Sequence, residues 1–213
     1  MILVTGGNGF LGKLLKEEIE KKYLIKNIFF TKRNKRFSIV KNIINIDLSS
    51  ENHVNRLFKE KNFRKVIHLS VSRNTIDNPK IRSFHTLDLD VKILLNLLKN
   101  STNIRKFLYL SSASVYKNVL NKNNRDDEVS SVKIIKKIIK FIYCKDVKKI
   151  NLYQESLISE NKFTDTIVDP RNHKNDNLRL NGSSKLISEI ILKEYCYENK
   201  IALQVIRPYR IIK

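Results

Sequence analysis

Apolar residues along the chain fall into short runs separated by stretches of helical period. Residues 1–4, Met-Ile-Leu-Val, form a run that ends at Thr5. Beyond Gly12, Leu14, Leu15 and Ile19 share one helical face, while Lys13, Lys16, Glu17, Glu20 and Lys21 face away from it. Further strands are predicted at 27–30, 43–46, 66–69 and 107–110, with a final one around Ile206-Arg207-Pro208. Between them, Ser49 or Ser50 caps a helix whose face is Val54, Leu57 and Phe58, and a long helix runs from about Lys80 to Asn100. Strands alternating with helices call for a parallel sheet covered on both faces, because a right-handed crossover brings each helix back onto the sheet. The expected fold is therefore α/β, a Rossmann-like doubly wound sheet of five to seven parallel strands spanning residues 1–213.

Four of the five glycines lie within the first twelve residues. Gly6, Gly9 and Gly12 form a G-x-x-G-x-x-G pattern placed between a strand and a helix, the context that a dinucleotide-binding loop requires. Gly6 and Gly9 allow a tight turn and close approach to a pyrophosphate, and Gly12 allows the helix to pack against the strand. Phe10 and Leu11 then open the helix, whose free N–H groups attract an anion. After the second strand, a NAD site would place an acid to accept from the ribose hydroxyls. Thr31-Lys32-Arg33-Asn34-Lys35-Arg36 has none there, and Lys32, Arg33 and Arg36 suit a 2′-phosphate. NADP is thus the expected cofactor ahead of NAD.

Charge changes this picture little. The chain carries +21, but Lys, Ile and Asn together make 82 of its 213 residues, all three encoded by A/T-rich codons. The 30 lysines are spread along the chain rather than gathered in one arm, and no nucleic-acid reading motif accompanies them, so no specific nucleic-acid partner is expected. Cys144 and Cys196 make neither a disulfide framework nor a four-ligand zinc site, and no metal is expected. No apolar run reaches the ~20 residues of a transmembrane helix. The start lacks a signal-peptide pattern, and a cytoplasmic setting is expected.

Taken in order, the motifs resemble those of the extended short-chain dehydrogenase/reductases, the NAD-dependent epimerase/dehydratase group that acts mostly on sugar nucleotides. Thr5 to Gly12 is similar to its T-G-x-x-G-x-x-G, and Asp47-Leu48 to the pair that contacts adenine. Val66-Ile67-His68-Leu69-Ser70 resembles the V-I-H-L-A strand beside the cofactor, and Ser111 to Tyr116 resembles S-S-x-x-V-Y. The resemblance implies that Ser112 bonds the reacting oxygen. It also implies that Lys185, in Ser184-Lys185 followed by Glu189, binds the nicotinamide ribose and lowers the pKa of a tyrosine four residues earlier.

That tyrosine position is Asn181, and an amide cannot donate and recover a proton near neutral pH. Tyr116 is the candidate replacement acid/base. Tyr209-x-x-x-Lys213 has the right spacing, but it falls on the expected final strand and reads as a decoy. Asp90 stands where the family's helix often carries Asn. A basic insertion covers about 121–177, where the family has a short loop. Within it, Ile135, Ile138, Ile139 and Ile142 alternate with Lys133, Lys136, Lys137 and Lys140 over Val132–Cys144. This segment reads as a helix packed on the domain's own edge, or else as a basic amphipathic helix for a membrane surface or partner. Residues 172–177 read as a loop. The family's smaller substrate domain would follow the Arg-Pro strand and is expected to be largely missing.

Two functions follow from the resemblance. One is a nucleotide-sugar epimerase or keto-reductase by descent, acting on a nucleotide-sugar substrate, with a homodimer left open. The alternative is a degenerate dinucleotide-binding protein without turnover.

Overall fold

The protein, seen in a computed structural model, is described at residues 1–21, 25–71, 79–115, 128–143, 153–158, 176–208 and 210–212. Its elements run β1 (Ile2–Thr5), α1 (Phe10–Lys21), β2 (Ile28–Arg33), β3 (Ser38–Val40), β4 (Ile43–Ile46) and α2 (Glu51–Glu60). There follow β5 (Lys65–His68), α3 (Pro79–Lys99), β6 (Lys106–Leu110), β7 (Glu128–Ser130) and α4 (Ser131–Tyr143). The last are β8 (Tyr153–Ile158), α5 (Asp176–Glu198), β9 (Ala202–Pro208) and β10 (Arg210–Ile212). Ser50 caps α2, its hydroxyl accepting from the His53 N–H.

One sheet has the order β3-β4-β2-β1-β5-β6-β9-β8, and every pairing in it is parallel except that of β3 with β4. Leaving aside β3 and β8, the order is the 3-2-1-4-5-6 of a doubly wound Rossmann sheet. Seven strands run parallel, as expected, and two strands of the sheet lie outside the six segments read from the sequence. The additions are the short antiparallel β3 and the edge strand β8, which comes from within the insertion. An edge strand does not need the unbroken apolar run of a central parallel strand, and neither segment has one. Outside this sheet, β7 pairs in parallel with β10, joining the insertion to the segment after β9.

Successive strand residues feed opposite faces. Leu3, Phe29, Val66, Phe107 and Val205 meet α2, α3 and α5 through Leu57, Leu97 and Leu192. Their neighbours Val4, Phe30, Ile67, Leu108 and Ile206 meet α1 and α4. Among the described residues, the insertion helix therefore shares the second face with α1, its Ile134, Ile135, Ile138, Phe141 and Ile142 buried beside Leu15 and Ile19. Its place is on the sheet face rather than at an edge, and its apolar stripe is spent on the core. Lys65, at the start of β5, donates to the carbonyls of Phe141 and Ile142 and so caps the C-terminus of α4. Lys133, Lys136 and Lys140 are exposed. Residues 172–175 lie outside the described residues, and α5 has begun by Asp176.

Ile138 is fully buried, so Ile138→Ala is expected to cost about 2–5 kcal/mol in urea unfolding. A helix held loosely outside the core would lose less than about 0.5 kcal/mol.

Candidate functional site

The sheet winds in one direction from β1 and in the other from β5, which leaves a crevice at the carboxyl ends of these two strands. The glycine loop turns there. Gly6 has φ of +72°, and a Cβ on it would lie 2.9 Å from the Ser70 nitrogen, so both conformation and space demand glycine. The Gly6 N–H donates to Thr31 Oγ1 at 3.2 Å and the Gly7 N–H to the Thr31 carbonyl at 3.0 Å, which ties the loop to β2. Gly12 sits one turn into α1, where a Cβ would fall 2.3 Å from the Gly6 carbonyl oxygen. Gly9 is different: a Cβ there would meet only the Gly6 oxygen, at 3.2 Å, leaving the backbone open on its other side.

A cleft of about 790 Å3 opens in front of this loop, within the usual size of small-molecule sites. Gly6, Gly9, Phe10, Leu11 and Gly12 form one wall. Arg33 enters from the end of β2, Asp47 and Leu48 from beyond β4, and Leu69 and Ser70 from beyond β5. The cleft also takes in Asn8, Lys13, Thr31, Val71, Leu89, Ile93 and Leu110, which the sequence pattern does not single out. Lys32 does not line it: residues alternate sides along β2, and Thr31 and Arg33 take the cleft side. Asp47 is oriented by Ser49, whose N–H and hydroxyl donate to Oδ1 at 3.0 and 2.7 Å. Asn96 of α3 holds the Leu48 carbonyl at 3.0 Å. These residues fit a dinucleotide. The first turn of α1 offers N–H groups with no partner inside the helix, and the bare Gly9 backbone admits a phosphate close to them.

Behind the cleft the polar groups are buried and interlocked. Thr5 Oγ1 accepts from the Ser70 N–H at 3.3 Å and shares a hydrogen bond of 2.7 Å with His68 Nδ1. His68 stacks on Tyr109 with ring centroids 5.7 Å apart. Burial, aided by the nearby Lys185 charge, pushes His68 down to about 3. Burial likewise lowers Lys185 to about 8, opposed by Asp90 and Glu189. Its Nζ donates to the Leu110 carbonyl at 2.8 Å and lies 4.7 Å from the Tyr109 ring centroid. Ser112 Oγ accepts from the Ser114 N–H at 3.2 Å and lies 3.0 Å from the Ser114 hydroxyl. Neither Ser112 nor Lys185 is part of the cleft lining. Asn181 lies on α5, four residues before Lys185. Tyr116, Tyr209 and Lys213 fall outside the described residues.

Residues 2–146 match the sequence model of the NAD dependent epimerase/dehydratase family. The chain belongs to this family. No curated protein matches the chain in sequence at a significant level. Among solved structures, a monomeric L-threonine 3-dehydrogenase from a metagenome is 20% identical, with a TM-score of 0.60 over 97% of this chain and 53% of that one. The UDP-glucose 4-epimerase of Thermotoga maritima is 14% identical, with a TM-score of 0.57 over 97% and 54%. A GDP-6-OMe-4-keto-L-xylo-heptose reductase from C. jejuni is 14% identical, with a TM-score of 0.60 over 96% and 45%. These likenesses carry the fold, and the chain spans about half the length of the structures it matches. Epimerase/dehydratase proteins depend on NAD or NADP. No described helix is long and apolar enough to cross a membrane.

Because His68 is held neutral, the unfolded chain alone binds a proton there as pH falls from about 6.5 toward 3. Stability gained at higher pH is then lost through this window, by about 1.4 kcal/mol per unit at full effect. Urea unfolding at stepped pH is expected to show that slope, and His68→Gln to remove its share.

Proposed function

We propose that this chain is the dinucleotide-binding part of an epimerase/dehydratase-family protein, descended from a nucleotide-sugar epimerase or keto-reductase. It binds NADP(H) in preference to NAD(H), and residues 1–213 act as one binding domain. The observation that carries this reading is the cleft with the bare glycine loop on one wall and Arg33, rather than an acid, at its mouth. A nicotinamide cofactor supplies the hydride acceptor or donor for epimerisation or ketone reduction. In the proposed binding mode the α1 N–H groups hold the pyrophosphate, Arg33 faces the 2′-phosphate, and Asp47 and Leu48 enclose the adenine.

Catalysis by this chain is weak or absent in the same reading. A neutral amide stands at 181, and the Lys185 ammonium is committed to the Leu110 carbonyl and the Tyr109 ring. Nucleotide sugars remain the substrate class by descent, as the named epimerase and reductase suggest. Exposed Leu95, Ile187 and Ile190, on the packed helices α3 and α5, support a homodimer as the assembly.

Titration with both cofactors is expected to show tighter NADP(H) binding. Arg33→Asp should erase a preference of about tenfold or more, the worth of one charge-assisted phosphate contact. Equal affinities that this substitution leaves unchanged would overturn the 2′-phosphate assignment.

Cofactor absorbance followed with a panel of nucleotide sugars is expected to show little or no turnover. Asn181→Tyr should raise whatever rate exists, by up to the 10²–10⁴ that acid–base help is worth, roughly. Robust turnover by the unmodified chain would defeat this reading, and its loss in Tyr116→Phe would then identify Tyr116 as the acid/base.

A further inference from the structure

Four charged side chains gather beneath the Leu110 end of the cleft, two of each sign. Arg207 of β9 and Glu189 of α5 are both buried, and they pair through two hydrogen bonds, one of them Nε to Oε1 at 3.0 Å. The Ser111 hydroxyl adds a further bond to the same Glu189 Oε1. Glu189 is thereby engaged at both oxygens by groups other than Lys185. Lys185 is 7% exposed, and the hydrogen bond found for its ammonium goes to a neutral carbonyl. A buried ammonium bonded to a neutral acceptor needs an anion nearby. Asp90 of α3 faces this turn of α5, because its Oδ2 accepts from the hydroxyl of Ser184, the residue next to the lysine, at 2.8 Å.

We propose that Asp90 is a positioning residue for Lys185: anchored by Ser184, its carboxylate is the counter-charge that keeps the buried ammonium seated on the Leu110 carbonyl. Leu110 lines the cleft, so the cleft floor is backed by a fixed positive charge that favours a nucleotide anion. That last step rests on the dinucleotide reading of the cleft, whereas the pairing of Asp90 with Lys185 does not. The groups that act on the ammonium are Asp90 from α3, Glu189 from α5, Tyr109 from β6 and His68 from β5. Arg207 is matched by Glu189 and His68 is neutral, which leaves Asp90 to balance the lysine.

The test is an NMR titration of ε-13C-lysine-labelled protein without cofactor, with the Lys185 signal assigned by its absence in Lys185→Arg. Lys185 is expected to titrate near pH 8. Asp90→Asn keeps an acceptor for Ser184 but removes the charge, and it should lower the midpoint by about one unit. Asp90→Glu should restore it. Ser184→Ala, which frees the carboxylate without removing it, should give a smaller fall and serves if Asp90→Asn does not fold. An unchanged midpoint in Asp90→Asn, or in Ser184→Ala where that variant stands in, would overturn the proposal. NADP affinity measured at pH 7 and 9 on the same proteins separates the two claims. A shifted midpoint without any NADP binding would sustain the pairing and defeat the cofactor reading.

Discussion

The start of α1 touches the backbone of the loop that precedes it, and the cleft depends on that contact. With no side chain at Gly12, the helix closes onto the Gly6 carbonyl and the Gly7 backbone. Even a methyl group there would push the helix off the loop, since carbon does not approach carbonyl oxygen to 2.3 Å. Gly6, in turn, takes a left-handed turn that brings its Cα against Leu69 and Ser70, just beyond β5. The loop is therefore held at its helix end, on β2 through Thr31, and on β5 through the Thr5–Ser70 bond. Preorganised in this way, its N–H groups need no rearrangement to meet an anion. A chain with only five glycines spends four of them in this loop and helix start.

Charge is handled in two ways in this molecule. The many lysines on helix surfaces stay in water, and the apolar stems between them cover the core. On α4 burial and the Lys140 charge lower Lys137, so crowding of like charge along the helix is felt, yet the apolar stripe still holds the helix on the sheet. Inside, the rule reverses. The buried Glu189, Arg207 and Lys185 and the half-buried Asp90 lie between α3, α5 and the strands, two of each sign. Each has a hydrogen bond beyond Coulomb attraction, as burial of charge requires. The overall +21 thus says little about the chemistry of the site.

What the residue pattern reveals follows the physics of each element. The strands buried on both faces carry unbroken apolar runs and are legible, as are the helices with a period of 3.6. Neither β3 nor β8 carries such a run, since an edge strand faces solvent on one side. The two-stranded pair β7 and β10 joins residues 82 positions apart, which no local pattern encodes. At the site, the glycine loop is legible because its constraint is local and steric. Lys32 and Arg33 look alike in sequence and differ only in which side of β2 they occupy. The Ser184–Asp90 and Lys185–Leu110 contacts are invisible for another reason: they join residues 94 and 75 positions apart, brought together by the packing of α5 on the rest of the fold.

Lys185 shows how one change in a site constrains another. In a family member with a tyrosine four residues before it, the lysine cation lowers the phenol pKa, and a phenolate would share the cation's charge. Asn181 offers neither a proton nor a negative charge, so an ammonium at 185 gains nothing ionic from that position. Burying it anyway costs several kcal/mol unless another anion is close. A carboxylate at 90 meets that cost while its amide counterpart would not, because Asn can accept the Ser184 bond but carries no charge. In the proposed reading, the lysine persists as a charge behind the cleft with an amide, not a phenol, at 181. In that reading binding and chemistry separate, because the glycine loop and Arg33 shape the cleft whatever stands at 181.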